Sequence, residues 1–185
     1  MVDVEPGCLL VATPLTRDPN FHRTVVLVLE HSDEGSLGVI LNRPTDVAVA
    51  DTLPKWADAM APPAVLFFGG PVEPRVAICL GHHQDAGAGA GEGRASWEHM
   101  VTVDLEADPT EIEAQFDGLR LFSGYAGWAP GQLDGEIDAG GWFVLAAAEG
   151  DAFTADVETL WHDVLERQPG SLAWVANFPV DPSMN

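Results

Sequence analysis

Basic residues are scarce in this chain of 185 residues: lysine and arginine number 8 against 29 aspartates and glutamates, a formal net charge of −21. Nucleic-acid affinity comes largely from lysine and arginine displacing counterions, so this shortage disfavours direct DNA or RNA binding. It also disfavours docking on anionic lipid, and no membrane partner is expected. A basic protein or small cations are the easier electrostatic partners. Cysteine is almost absent too. Cys8 and Cys79 stand in separate apolar runs without Cys-x-x-Cys spacing, the pattern of two buried thiols rather than a redox pair. No apolar run approaches the roughly 18 to 20 residues that span a bilayer. The start, Met1-Val2-Asp3-Val4-Glu5, is acidic where a secretory leader would be basic, so a cytoplasmic location is expected.

Chemical motifs are equally sparse. His82-His83 closes an apolar run with no metal-site spacing around it, which reads as solvated histidines at a strand end. Ser123 lacks the Gly-x-Ser-x-Gly frame of a nucleophile elbow. The run Gly87 to Gly91 follows a strand, but no convincing helix follows it, so it makes a poor dinucleotide loop. No catalytic residue, metal or cofactor is expected.

What the chain does have is apolar residues, 46% of the total, enough for one core. Cys8 to Ala12, Thr24 to Glu30 and Leu37 to Asn42 read as strands, the last two as an antiparallel hairpin around Asp33-Glu34-Gly35. Their near-continuous apolar character predicts a sheet covered on both faces. Val49 to Met60 has helical spacing that Pro54 limits to a short or kinked helix. Val65 to Phe68 and Val76 to His82 read as strands around the turn Gly69-Gly70-Pro71-Val72, and Asp85 to Gly93 as a flexible loop. Strands follow at Val101 to Leu105, Leu119 to Tyr125 and Trp142 to Ala147, with helices at Pro109 to Phe116 and Pro130 to Ala139. The strongest helical pattern is Ala152 to Gln168, where Phe153, Val157, Leu160, Trp161, Val164 and Leu165 line one face. The expected fold is α+β: a single domain over 1–185 with a large mixed, mainly antiparallel β-sheet flanked by helices.

Four segments together resemble the AlgH/YqgE family of bacterial proteins. They are Ala12-Thr13-Pro14-Leu15 with Asp18, Asn20-Phe21, Arg23 to Val26 and Glu30-His31; Gly38-Val39 with Leu41 to Pro44; Gly69 to Val72; and Gly124 to Trp128 with Pro130 to Leu133, Glu136, Trp142 and Trp161. The resemblance implies a compact α+β domain with a large mixed sheet. It carries over no established functional residues, in a family spoken of variously as uncharacterised or as transcriptional regulators. The acidic, glycine-rich 85–93 stretch departs from the usual pattern. A charge of −21 without a basic helix leaves direct operator recognition no phosphate-contacting surface.

Two groups of residues invite a ligand reading. Arg23 and Arg43, with Asn42, fall at the same end of the hairpin. They could present a local positive spot to a small anion, or each could form an ion pair with one of the many acids. In the second group Trp128 is an anchor, and Gln132 and Glu136 share a helical face that could line a polar pocket near Tyr125; the alternative is packing alone. The first functional expectation is a non-enzymatic regulatory module binding a protein partner or a small anionic ligand. The second is a small-molecule enzyme using a cleft near Arg43 and Trp128.

Overall fold

The protein was analysed as a computed structural model that describes residues 3–83, 100–148 and 150–178. The 85–93 stretch lies outside them. Nine strands form one mixed sheet: β1 (Cys8–Ala12), β2 (Val25–Ser32), β3 (Gly35–Ile40), β4 (Pro44–Ala48), β5 (Val65–Phe68), β6 (Val72–His83), β7 (Met100–Thr102), β8 (Phe116–Trp128) and β9 (Trp142–Ala146). The main path runs β4-β5-β8-β3-β2-β1-β9, with β6 also on β8 and β7 on β6. Only the β5–β8 pair is parallel among the paired strands. This is the α+β fold with a mainly antiparallel sheet that the apolar runs predict.

β1 and β2 pair with Leu9 opposite Leu27 and Leu10 opposite Val26. Because side chains alternate across a strand, each strand feeds two cores. Leu9, Val11, Leu27 and Val39 join one that also holds Val157, Leu160, Trp161, Val164 and Leu165. Cys8, Leu10, Val26 and Ile40 join the other, with Trp128, Leu133 and Trp142. A third cluster packs Trp56 and Met60 on Cys79, Leu119 and Leu121. The sheet is thus covered on both faces, as its unbroken apolar strands require.

The hairpin of β2 and β3 forms as predicted, but β3 ends at Ile40. The chain beyond it turns into β4, which the sequence reading did not anticipate. Pro44 can open that strand because β4 lies at one end of the main path. The two strands flanking Gly69 to Val72 are not partners of each other. Both pair with β8, β5 in parallel and β6 antiparallel. Here Gly69 and Gly70 cross the backbone of Gly124 and Tyr125: a Cβ on Gly69 would stand 2.2 Å from the Gly124 oxygen, and one on Gly70 2.2 Å from the Tyr125 carbonyl carbon. Gly124 itself has φ +69°. Glycine is needed at this crossing for room and, at Gly124, for conformation.

The helices are shorter than their periodicity implies. Val49 to Met60 divides into α1 (Val49–Thr52) and a 3₁₀ turn (Pro54–Ala59), with Leu53 out of helical geometry ahead of Pro54. Pro109 to Phe116 becomes α2 (Pro109–Ile112), whose N-cap Asp108 accepts from the Thr110 amide, and a 3₁₀ turn to Gln115. α3 spans Gln132–Asp138. The largest correction falls on Ala152 to Gln168. Only α4 (Leu160–Glu166) is α-helical there, preceded by a 3₁₀ turn at Asp151–Phe153, and α5 (Ser171–Val175) follows unpredicted.

The break has a physical cause in β8. Arg120 is 1% exposed, and its guanidinium donates to the carbonyls of Ala152 (3.1 Å), Thr154 (2.8 Å) and Pro62 (2.7 Å). It also lies 4.4 Å from the centre of the Phe67 ring. The Ala152 and Thr154 carbonyls that a continuous helix would bond internally are held by a side chain from the sheet. Asp151, just ahead of the break, makes a two-point ion pair with Arg167 (2.7 and 2.5 Å) and accepts from the Ala148 amide. Arg120→Met should therefore lower the unfolding free energy by about 3 kcal/mol or more, since it strands three carbonyls at about 1–3 kcal/mol each. Urea denaturation followed by circular dichroism checks this; a loss below about 1 kcal/mol would mean that water or the chain can satisfy those carbonyls instead.

Candidate functional site

The β1–β2 connection is tied down at one end of the sheet. The Thr13 amide donates to the Gly141 carbonyl, and the hydroxyls of Thr13 and Thr16 donate to Gly140 (2.7 Å) and Gly141 (2.8 Å). Further along, the Phe21 and His22 amides return to the Asp18 carbonyl, which brings Phe21 over the sheet end. Its ring meets Trp142 edge-on at 5.5 Å and Trp128 at 6.3 Å, and the two indoles lie 6.0 Å apart at 80°. Such edge-to-face contacts suit the ring quadrupole.

Glu136 organises these rings. Its Oε2 accepts from both indoles, Trp128 Nε1 at 2.9 Å and Trp142 Nε1 at 2.8 Å, and its Oε1 accepts from Gln132 Nε2 at 2.9 Å. Gln132 in turn accepts from the Ala129 amide ahead of α3. Gln132 and Glu136 reach one another because i and i+4 share a helical face, while Leu133 points into the core. A pocket of about 390 Å³ opens beside this network, walled by Phe21, Trp128, Trp142, Gln132 and Glu136 and flanked by Arg17 and Asp18.

The other expected residues sit elsewhere. Asn42 is buried and clamps the hairpin end, accepting from the Val25 amide (3.0 Å) and donating to the Arg23 carbonyl (2.9 Å). Arg43 donates to the His22 carbonyl at 2.5 Å, and burial lowers its pKa. Arg23, at φ 53°, donates to the Phe178 carbonyl and lies 4.3 Å from the centre of the Trp161 ring. Their backbones are thus joined through Asn42 and His22, but neither guanidinium is paired with a carboxylate among the described residues, and neither lines the aromatic pocket. Tyr125 turns to Glu73, its hydroxyl 3.4 Å from the carboxylate. Desolvation, with Glu73 adding, raises its pKa. Of the seven residues, the fold gathers Trp128, Gln132 and Glu136 in one place, Arg23, Asn42 and Arg43 in another, and leaves Tyr125 apart.

Several groups escaped the sequence reading of function. Phe21 and Trp142 belong to the segments that carry the resemblance, which was the only signal for them. His82 Nδ1 lies 2.7 Å from Asp117 beside a second pocket of about 210 Å³, floored by Leu9, Leu27, Ala147 and Ala152. A strand pairing that sets His82 opposite Gly118 creates that contact, and no local motif announces it. His162, Asp163 and Glu166 share an exposed turn of α4, where the Thr159 hydroxyl holds the Asp163 carboxyl below its ordinary pKa.

The family model described as AlgH-like matches residues 9–173. The chain belongs to the AlgH-like family. A UPF0301 protein of Streptomyces coelicolor is 49% identical over 184 residues, covering 97% of this chain and 94% of that protein. One of Thermobifida fusca is 46% identical, with 97% and 94% covered. The crystal structure of protein DIP2367 of Corynebacterium diphtheriae superposes with a TM-score of 0.86 at 37% identity, over 96% of this chain and 94% of that one. The solution structure of the AlgH protein of Pseudomonas aeruginosa shares the fold, with a TM-score of 0.65 at 24% identity over 97% and 98% of the two chains. These family members are themselves uncharacterised UPF0301 proteins, so membership brings a fold and no reaction. No helix among the described residues is long and apolar enough to cross a membrane.

Glu136→Ala strands two indole N–H groups, each costing about 1–3 kcal/mol when buried and unpaired. It should destabilise the protein by about 2 kcal/mol or more and move the side-chain NMR signals of Trp128 and Trp142; unchanged signals would show that the carboxylate does not hold the rings. Both cysteines are buried and free, and burial raises both thiols, Cys79 to about 12. Neither should react with iodoacetamide in the native protein at pH 8, whereas both should react in urea. Because the unfolded thiols lose their protons first, stability should fall as the pH climbs from the ordinary thiol range toward 12.

Proposed function

We propose that the protein is a non-enzymatic regulatory binding module of the cytoplasm, and that a protein partner seats a side chain in the pocket beside Trp128, Trp142 and Glu136. The observation that carries this reading is convergence. Three of the four segments bearing the family resemblance meet at this one pocket: Leu15, Asp18 and Phe21 from the first, Pro71 from the third, and Gly127, Trp128, Gln132, Glu136 and Trp142 from the fourth. Glu136, Gln132 and the two indoles are engaged with one another, so Glu136 is better placed to hold the aromatic walls than to act as a base toward a substrate. A small anion at Arg23 and Arg43 has less support, because both guanidiniums already donate to backbone carbonyls. The net charge of −21 argues against nucleic acid as the partner.

Ala139 lines the pocket and is exposed, so Ala139→Trp should fill it without disturbing the core. Quantitative affinity capture with wild type and Ala139→Trp should give at least one partner that the variant loses while keeping its melting temperature. Identical capture by the two proteins would move the seat elsewhere. Turnover of a metabolite in an extract by wild type, lost in the folded variant, would replace the module by an enzyme.

A further inference from the structure

Resting on that reading of the pocket, we infer that its occupant is a cation: the ammonium or guanidinium of a lysine or arginine in a basic segment of the partner. The indole donors at the site are already committed. Both indole N–H groups point at Glu136 Oε2, and Gln132 Nε2 donates to Oε1. With their N–H edges turned to the carboxylate, the two buried indoles have no N–H left for an anion, and the half-buried Phe21 ring adds aromatic surface to the cavity lining. A cation is attracted to such a surface by the ring quadrupole.

The charge balance points the same way. Glu136 is half-buried and takes three hydrogen bonds from neutral donors, which orient it but do not cancel its charge. No ion pair to Glu136 occurs among the described residues. Asp18 adds a second acid at the rim, its Oδ1 accepting only from the neutral Asn20 amide among the hydrogen bonds seen. Arg17 is the one basic residue in the lining, and it is exposed at the lip, so the pocket keeps an excess of negative charge. Around it lies a body of net charge −21, which draws a basic segment in from a distance and repels an acidic one. A lysine or arginine also carries a methylene stem that suits the apolar walls of Phe21, Trp128 and Trp142.

The arrangement predicts opposite effects for the two charges at the pocket. The probes are the blocked amino acids N-acetyl-arginine amide, N-acetyl-lysine amide, N-acetyl-glutamine amide and N-acetyl-glutamate amide, titrated into the full chain at low salt. The readout is the pair of indole N–H signals of Trp128 and Trp142. The two cationic probes should shift both signals saturably, and the neutral and acidic ones should not. Glu136→Gln keeps an acceptor for an indole but removes the charge, and should weaken the cationic probes about fivefold. Arg17→Gln removes the opposing charge and should tighten them about twofold, a rise that loss of structure cannot mimic. The inference is overturned if the glutamate probe shifts the indoles at lower concentration than the arginine probe, or if Arg17→Gln weakens arginine binding; the pocket would then remain the seat, but for another group. It is also overturned if no probe shifts them. In that case the Ala139→Trp capture comparison decides separately whether the pocket is a seat at all.

Discussion

A buried guanidinium sits where the layers of this fold meet. Arg120 projects from β8 into the core and is shielded from water, yet it faces no carboxylate among the described residues. Burial lowers its pKa to about 10, a measure of how poorly the charge is solvated there. It is tolerated because Pro62, Ala152 and Thr154 turn their carbonyls to it and the Phe67 ring faces it. Ala152 and Thr154 lie in and directly after the 3₁₀ turn ahead of α4, and Pro62 lies in the loop before β5, so one side chain ties the entry to α4 to a loop far away in the chain. An exchange of this kind is costly to leave half made: without the arginine the carbonyls are orphaned, and without the carbonyls the charge is.

At the other end of β8 a second polar group does comparable service for the aromatic pocket. Glu136 receives two indoles that arrive from different strands, Trp128 from β8 and Trp142 from β9, and so couples the sheet to α3. The glycine crossing at Gly69, Gly70 and Gly124 lies between, where backbone meets backbone with no room for side chains. These two devices explain why residues far apart in the chain form one wall. They also give a structural reason for the glycines, tryptophans and glutamate in the third and fourth segments of the resemblance.

The strands were the most legible part of the fold. Runs such as Val25 to Leu29 admit little else, because β-branched residues packed on both faces belong in a central strand. The helices were less so. Phe153, Val157, Leu160, Trp161, Val164 and Leu165 keep a helical period because they all face the same core, yet the backbone between Thr154 and Thr159 is not α-helical. Periodicity reports which residues are buried, not how the chain runs between them. At the site, Trp128, Gln132 and Glu136 could be grouped from i, i+4 spacing, whereas Phe21 and Trp142 could join them only through strand pairing.

Read alone, the chain determined its acidity, its shortage of bases and thiols and the core strands, since each depends on composition or on neighbours a few residues apart, and its family, through four segments in a fixed order along the chain. The tertiary structure decided which arginine would be buried, which carboxylate would collect the indoles, and that Arg23 and Arg43 would each donate to a carbonyl. Those outcomes join positions as distant as Phe21 and Trp142. Strand register and the glycine crossing bring such positions together, and no local propensity encodes that meeting.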